Sequence, residues 1–234
     1  MAIFICLAII CSAADVGLCT KPAKVYKPPT AIEIEKIINV NVGPASTGIA
    51  LSIGPAGKLF IAISSPPQIL SLDSNQDQSY VNVNFVSDFC ILTGFTLVYT
   101  DNSSPLLFRT DSRLRELSSF QLDYLNGDIA NFQPISITSS PNGQIYFTNG
   151  YDNEIWMIDQ NGSVFRYSGL NNAIRLGAGT IEFDSINNSI VVLDGNNLEF
   201  LNSYGKYMDA ATYETSLDNA SDMIVSGSEI WIGG

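Results

Sequence analysis

The sequence predicts an all-β fold, a β-propeller of five or six four-stranded antiparallel blades. The first observation is a motif that occurs five times: a short apolar strand ends in a Gly or Asn turn, and a strand rich in β-branched and aromatic residues follows. These second strands begin at Leu59, Leu97, Ile145, Ile190 and Ile230, so their starts lie 38, 48, 45 and 40 positions apart. A period of about 40–50 residues made of strands is typical of propeller blades, which must pack side by side around an axis.

The composition and the lack of helical patterns are the second and third observations. Hydrophobic residues make up 46% of the 234 residues and charged residues only 15%, which is too apolar for a disordered chain. The best helix candidate, residues 210–217, is short and rich in Thr. We therefore expect one β domain over residues 32–234.

The third repeat shows the blade pattern most clearly. Asn142-Gly143 separates two strand-like runs and is a strong hairpin signal, because both residues tolerate positive φ. A third strand at residues 154–159 and a fourth at residues 164–167 are separated by a turn at Asn161-Gly162. The same pattern predicts blades at residues 47–86, 88–122, 134–168, 179–213 and 221–234.

The fifth repeat has only two strands before the sequence ends. One interpretation, which the sequence favours, is truncation at the C-terminus of a longer propeller with six blades. The other is a five-bladed ring in which an alternating strand at residues 32–42 completes the last blade and removes an open sheet edge. That last blade would still have only three strands.

The N-terminus predicts a secreted or extracellular protein. Residues 2–11 form an apolar run too short to span a bilayer, and the small residues that follow are typical of a secretory signal at residues 1–14, cleaved after Ala14. A buried strand or a membrane-dipping anchor is the alternative. A Pro- and Lys-rich arm follows at residues 15–31. No later apolar segment approaches 18 residues, so we expect no membrane span in the mature chain.

Cysteines and sequons are consistent with the secretory route. Cys6 and Cys11 would leave with the signal, and Cys19 and Cys90 would remain as a pair able to form a disulfide; two buried thiols are the alternative. Four Asn-x-Ser triplets fall at predicted turns or loops, where a glycan could be carried. These candidate glycosylation sites are Asn102, Asn161, Asn187 and Asn219.

The charge excludes one class of partner. The net charge is −12, and from residue 37 onward 7 basic residues face 20 acidic residues, a net of −13. An acidic body repels phosphate backbones, so nucleic acid is a poor candidate partner. Solubility is the simplest role for this acidity.

The sequence contains no recognisable catalytic set. It has no His, which removes a Ser-His-Asp triad and most zinc sites. It also has no Cys-x-x-Cys pair and no Gly-rich phosphate-binding motif. Two carboxylates could still act as acid and base, but the sequence alone does not bring any two together.

Two segments allow both a functional and a structural interpretation. Residues 73–77 have the Asp-x-Asn-x-Asp spacing of a calcium loop, but Gln78 and Val83 stand where Gly and an acidic residue are required, so we expect an Asx-rich turn. Several aromatic residues could form a sugar-stacking platform, but their matching strand positions favour packing between blades. They are Phe60, Tyr99, Tyr146, Trp156 and Trp231.

Residues 134–168 resemble one NHL-type repeat. The resemblance rests on Pro134-Ile135-Ser136-Ile137, on Gly143-Gln144-Ile145-Tyr146-Phe147, and on Asn153-Glu154-Ile155. The wider group includes six-bladed lactonases and strictosidine synthase-like proteins, and the lactonase-type members hold a divalent cation with Glu, Asn and Asp at the ring centre. The corresponding strand here reads Ile135-Ser136-Ile137, so the resemblance assigns no metal ligands.

These observations favour a non-enzymatic binding or structural assembly module without a cofactor, with other extracellular proteins or glycans as partners. The alternative is a lactonase- or strictosidine synthase-like hydrolase or lyase with an axial divalent cation. Three or four Asp, Glu or Asn side chains converging on the axis with a bound divalent ion would favour it. A second alternative is a lectin-like sugar binder, which equivalent shallow pockets in each blade would favour. Loops on a rigid scaffold are where propellers bind.

Overall fold

The residues that the structure describes form four sheets of four antiparallel strands and one sheet of three strands. The computed structural model describes residues 10–12, 48–54, 58–73, 75, 77–92, 96–101, 106–111, 113–122, 132–168, 179–194, 197–206, 208, 213–214, 222–226 and 229–233. These residues form strands and turns and contain no helix. Accordingly, the described chain has no helix long and apolar enough to cross a membrane.

Each four-stranded sheet is a simple meander in which every strand pairs with the next along the chain. The first blade consists of β2 (Gly48–Ile53), β3 (Leu59–Ser64), β4 (Pro67–Leu72) and β5 (Gln78–Asn82). The second consists of β6 (Asp88–Ile91), β7 (Leu97–Thr100), β8 (Leu106–Thr110) and β9 (Glu116–Gln121). The third consists of β10 (Pro134–Ser139), β11 (Ile145–Asn149), β12 (Glu154–Ile158) and β13 (Val164–Arg166). The fourth consists of β14 (Thr180–Asp184), β15 (Ser189–Asp194), β16 (Asn197–Leu201) and β17 (Tyr213–Glu214).

The fifth sheet has three strands and joins the two ends of the sequence. β18 (Asp222–Ser226) pairs with β19 (Glu229–Gly233), and β19 pairs with β1 (Ile10–Ser12) on its other side. The prediction of five or six four-stranded blades is therefore corrected: the described residues form four such blades, because the last hairpin gains only one further strand. The strand predicted at residues 32–42 lies outside the described residues. β1 falls within the segment predicted as a signal.

Turn residues explain where the hairpins of the third blade form. The turn between β10 and β11 places Gly143 at φ 85°, and the Gly143 N–H donates to the Ser140 carbonyl at 2.9 Å. The turn between β12 and β13 places Gly162 at φ 84°. Glycine adopts these left-handed angles without the steric cost of a Cβ atom. The hairpin predicted at Asn142-Gly143 is present.

The hydrophobic core lies between neighbouring blades. Trp156 is 1% exposed and meets Phe132 edge to face, with ring centroids 4.9 Å apart. Phe60, Tyr99 and Tyr146 are also buried, so these aromatics belong to the core, as the sequence predicts; the side chain of Trp231 lies outside the description. Each such side chain contributes about 1.5–3 kcal/mol through removal from water.

The segment with calcium-loop spacing forms an Asx turn. Asp73 Oδ1 accepts hydrogen bonds from the N–H groups of Asn75 and Asp77, at 2.9 and 3.0 Å. An aspartate oxygen that caps its own turn in this way stabilises the hairpin between β4 and β5. The contacts agree with the expected turn.

Candidate functional site

A cavity of about 420 Å³ lies where the first strands of all five sheets meet. Its walls come from β2, β6, β10, β14 and β18, each the innermost strand of its sheet. Propellers leave a channel at their axis because the blades pack around it. This axial cavity is therefore a direct product of the repeat.

Three carboxylates from three different sheets face the axial cavity. They belong to Asp88 on β6, Glu182 on β14 and Asp222 on β18. The other walls are apolar, hydroxyl-bearing or glycine, apart from the thiol of Cys90, and the described lining contains no Lys or Arg. The cavity thus concentrates negative or titratable groups without a fixed cation.

A bulge in β10 explains how Asp88 is held. The register of β10 against β11 shifts between Pro134 and Ile137, which re-aims the backbone there. The Ile137 N–H donates to Asp88 Oδ2 at 2.9 Å, and the Ser136 hydroxyl donates to the same oxygen at 2.7 Å. The other oxygen, Oδ1, accepts from the Phe89 N–H at 2.7 Å. Both carboxylate oxygens of Asp88 therefore accept hydrogen bonds from the protein.

Side chains, and not a strand ladder, connect the third and fourth blades at the axis. The Ile181 N–H donates to Ser136 Oγ at 3.2 Å, so Ser136 connects β14 to Asp88 on β6. The Thr138 hydroxyl donates to Glu182 Oε2 at 2.9 Å and accepts from the Phe183 N–H at 3.2 Å. Two hydroxyl side chains of β10 thus satisfy polar groups of the neighbouring inner strands, as buried polar groups require.

The surroundings raise the pKa of all three carboxyls. Desolvation raises the pKa of Asp88 to about 7, partly opposed by the hydrogen bonds from Ser136 and from the Ile137 and Phe89 amides. Desolvation raises the pKa of Glu182 to about 8, with repulsion from Asp88 and Asp222 adding to the rise. The pKa of Asp222 is raised by burial. Part of Asp88 and Glu182 still faces the cavity, so a ligand could reach either group.

The three axial carboxylates do not form a ligand cluster within the described part of the chain. Across the described ranges, no three His, Cys, Asp or Glu side chains approach one another as ligands of one ion would. Both oxygens of Asp88 already accept hydrogen bonds from the protein. The described residues therefore assign no ligands to the axial cation that the lactonase resemblance implies.

The predicted disulfide stays a prediction. Cys90 lies on β6 as a buried free thiol at the axial cavity, and burial raises its pKa. Cys19 lies outside the described residues. A thiol whose pKa is raised is a poor nucleophile near neutral pH.

Two of the four predicted glycosylation sites fall within the described residues. Asn161 and Asn187 are exposed on turns, where a glycan could project. The Asn187 amide donates to Asp184 Oδ2 at 2.7 Å. Asn102 and Asn219 lie outside the described residues, and glycosylation of all four stays a prediction.

The axial carboxylates are not evident from the best-matching repeat alone. That repeat has Ser136 at the inner strand, whereas the second, fourth and fifth repeats each carry one acidic residue facing the axis from that strand: Asp88, Glu182 and Asp222. Comparison of all five first strands would have found these acids. It would not have shown that they face one cavity, since that depends on strand register.

The fold is shared with solved propeller structures. A chain of a nidogen/laminin complex matches with a TM-score of 0.65 at 16% identity, covering 81% of this chain and 72% of that one. Virginiamycin B lyase from Staphylococcus aureus matches with a TM-score of 0.60 at 16% identity, covering 79% of this chain and 62% of the lyase. The protein is a β-propeller. No family model matches the sequence, and no curated protein does.

The likeness reaches no further than the fold at these identities. A catalytically inactive H270A variant of the lyase, solved with quinupristin, matches at 17% identity over 59% of its own length. The chain thus spans about three fifths of the lyase chains that it matches. One propeller fold supports many functions, so the function must be argued from the site.

Proposed function

We propose that this protein is an extracellular binding module, and that its axial cavity binds a basic side chain of a partner protein. The observation that carries the proposal is the convergence of Asp88, Glu182 and Asp222 on one solvent-accessible cavity whose described lining has no basic residue. The role is non-enzymatic and requires no cofactor. The scaffold itself makes the hydrogen bonds that hold Asp88 and Glu182 in place, so the cavity is formed before a ligand arrives.

Electrostatics favour a cationic occupant. Desolvated carboxylates hold their protons to a higher pH because the ionised form lacks solvent and a counter-charge. An ammonium or guanidinium group placed among them would supply that charge and lower their pKa values. Binding near pH 7 would therefore release protons from Asp88 and Glu182, whose pKa values are about 7 and 8.

Protein binding is also the role that one structural neighbour suggests. That propeller was solved as part of a nidogen/laminin complex. The comparison supports only the capacity of the fold to bind proteins. The choice of a basic side chain comes from the axial cavity of this chain.

Calorimetry with a lysine peptide tests the proposal. We expect acetyl-Gly-Lys-Gly-amide to bind at pH 7 with a more exothermic apparent enthalpy in Tris than in phosphate, because Tris takes up the released protons exothermically. Glu182→Gln should weaken binding about tenfold, equivalent to about 1.4 kcal/mol.

Two controls make the result specific to the axial cavity. The peptide with acetylated lysine should not bind, and Asp77→Asn, which removes an exposed acid on the β4–β5 turn, should leave the affinity unchanged. Equal binding of both peptides, or an equal loss in the two variants, would show that the axial cavity is not a cation site.

A hydrolase or lyase is the second candidate, favoured by one observation. Asp88 and Glu182 have pKa values of about 7 and 8, which is the range in which a carboxyl can act as general acid or base at neutral pH. One lyase neighbour is a catalytically inactive His variant, and the present sequence has no His, so any catalysis here would use other groups. Turnover of lactone or ester substrates that is lost in Glu182→Gln would favour this candidate over the binding module.

The proposal also includes secretion, with the processing that the secretory route allows. We propose cleavage after Ala14, a Cys19–Cys90 disulfide and glycans on some of the four sequons. Cleavage would remove β1, whose residues pair with β19. The intact mass of the protein collected from the medium of expressing cells, before and after reduction and glycosidase treatment, measures all three. An N-terminus at Met1 would reject cleavage.

The finer relationship to NHL-type repeats also stays a proposal, supported by residues 134–168. A lectin with one site in each blade is less well supported. Such sites would lie on the turns that follow the third strand of each blade. The fourth blade has an aromatic residue there, Tyr204 on the turn at residues 202–206. The corresponding segments of the other blades, residues 73–77, 111–115 and 159–163, have none. Any sugar site would therefore be particular to one blade.

A further inference from the structure

A second cavity lies at the junction between the third and fourth blades, away from the axial cavity. Its volume is about 310 Å³, at the lower end of the range for small-molecule sites. We name it the inter-blade groove; Tyr146 and Met157 line it from the third blade, and Phe183 and Tyr204 line it from the fourth. None of these residues borders the axial cavity.

The floor of the inter-blade groove is aromatic and fixed by packing. Tyr146 stacks on Phe183 with centroids 5.7 Å apart, and it meets Tyr167 edge to face at 4.9 Å. These rings form part of the core between the two blades. The groove therefore has a preformed apolar base.

The rim carries an aromatic ring on a rigid turn. Tyr204 is 83% exposed, yet its turn is tied down: Asn202 Oδ1 accepts from the N–H groups of Tyr204 and Lys206 at 3.0 and 3.2 Å. The Tyr167 hydroxyl donates to the Asn202 carbonyl at 2.6 Å, which holds the turn against the third blade. Because the backbone of the turn is already fixed, stacking of the Tyr204 ring on a ligand would cost only the rotamer freedom of that one side chain.

Side-chain amides surround the opening. Gln144 Oε1 accepts from the Tyr146 hydroxyl and from Asn142 Nδ2, both at 3.1 Å. Among the described residues, its Nε2 donates to the thioether of Met157, at 3.4 Å, which is a weak acceptor. A ligand oxygen would be a better partner for this donor. Asn188, exposed at φ 49°, adds a second amide.

The inter-blade groove is close to electrically neutral. Arg166 is the charged residue in its described lining, and its Nε lies 2.6 Å from Glu154 Oε2, within ion-pair distance although not aligned as a hydrogen bond. Arg166 also lies over the Trp156 ring, 5.3 Å from its centroid. Because the cation is already paired, the groove does not select an anionic ligand.

From these features we infer that the inter-blade groove is a binding site for a neutral saccharide. A sugar ring has an apolar C–H face that can lie on Tyr204, and hydroxyls that both donate and accept. The amides of Gln144 and Asn188 offer both donors and acceptors to match them. The site is independent of the proposed axial site and adds a second ligand class to the protein.

Saturation-transfer NMR with four neutral disaccharides tests the inference: cellobiose, lactose, mannobiose and diacetylchitobiose. The full chain carries Ser189→Ala, which removes the neighbouring sequon at Asn187 so that an attached glycan cannot occupy the groove. Ser189 Oγ has no hydrogen-bond partner among the described residues, so the change removes no hydrogen bond to them. We expect saturation transfer to at least one disaccharide.

Point variants locate the binding. Tyr204→Ala should weaken it about tenfold, the effect of one aromatic contact. Asn188→Gly keeps the left-handed backbone, removes the amide and should weaken binding a few-fold. Tyr80→Ala, which removes another exposed ring, on β5 (65% exposed), should change nothing.

Three outcomes would overturn the inference: no transfer to any of the four sugars, equal binding by Tyr204→Ala, or loss of binding in Glu182→Gln. The last result would place the sugar in the axial cavity. Transfer to acetyl-Gly-Lys-Gly-amide that depends on Tyr204 would show that the groove binds peptides instead. Failure of this inference leaves the lysine-peptide experiment on the axial cavity unaffected.

Discussion

The axial cavity and the inter-blade groove are built from different parts of the same blades. The axial cavity takes its polar groups from inner strands, where Asp88 and Glu182 are held by hydroxyls and amides of β10. The inter-blade groove takes its rim from turns, where Tyr204 is held by the backbone contacts of residues 202–206. The first site therefore depends on charge and the second on backbone geometry. Variants of the two should accordingly differ in their pH dependence.

The largest effect is expected for Gly205→Ala, at the turn that carries Tyr204. Gly205 has φ 70°, and a Cβ atom there would lie 1.7 Å from the Tyr167 carbonyl oxygen. The clash with backbone and the left-handed angle together should lower the free energy of unfolding by on the order of 3–5 kcal/mol. Urea denaturation monitored by Trp fluorescence measures the loss, which should be the same at pH 5 and pH 8.

Gly143→Ala is the matched control for that variant. Gly143 has φ 85°, but a Cβ atom there would meet nothing within 4 Å. Only the backbone strain remains, about 1 kcal/mol. Equal losses in the two variants would show that the Tyr204 turn is not closely packed on the third blade.

Ser136→Ala should have an intermediate effect at the axial cavity. It removes the donor to Asp88 Oδ2 and the acceptor of the Ile181 N–H, at a cost of about 1–3 kcal/mol. The pKa of Asp88 should also rise, because the lost hydrogen bond holds it down. Urea denaturation and an NMR titration of the Asp88 carboxyl measure the two effects.

Ser139→Ala is the control for Ser136→Ala, because it removes a hydroxyl of the same strand that donates to the Ile91 carbonyl instead of to Asp88. Its hydroxyl donates to the Ile91 carbonyl at 3.1 Å, so its loss should cost about 1 kcal/mol and leave the titration of Asp88 unchanged. If both variants shift that titration alike, the direct contact from Ser136 is not what controls it.

Glu182→Gln should give the clearest pH dependence. Between its ordinary value of 4.5 and its folded pKa of about 8, Glu182 binds more protons in the native state than in the unfolded state. Its contribution to stability is therefore present below about pH 4.5 and is lost as pH rises towards 8. Glutamine removes this loss, so the stability advantage of the variant over the wild type should grow with pH, by up to about 1.4 kcal/mol for each pH unit between pH 5 and pH 8. Thermal denaturation across that range measures the change in slope.

The exposed acid Asp77 provides the reference for that slope. Asp77→Asn should leave the pH dependence of the melting temperature as it is in the wild type, because this residue lies on an exposed turn. A slope that is unchanged in Glu182→Gln would mean that the Glu182 carboxyl titrates as it does in solution.

Much of the fold was predictable because it depends on local patterns. Asn142-Gly143 marks a hairpin through its tolerance of positive φ, and the buried Tyr146 and Trp156 follow from the placement of aromatics on recurring strands. The number of complete blades was not predictable, because the pairing of β1 with β19 joins segments more than 200 residues apart in the sequence.

Most of the candidate site was likewise not predictable from the sequence, because it depends on how strands and blades meet. The bulge between Pro134 and Ile137 turns the Ile137 amide towards Asp88. No residue type in that segment predicts the bulge. Tyr146 and Phe183 look in sequence like further core positions, and both do belong to the core between the two blades. Whether a groove opens over them depends on how two neighbouring blades meet, which repeat patterns do not specify.

The inner strands β6, β10 and β14 meet through Ser, Thr, Asp and Glu side chains, without a shared ladder. Strands joined by a ladder are kept about 4.8 Å apart, whereas side chains of different lengths allow different separations. Single substitutions at these positions can consequently widen the axial cavity, narrow it or change its charge while every blade stays intact. Evolution could thus change the ligand specificity of the propeller axis while the sequences of the blades are conserved.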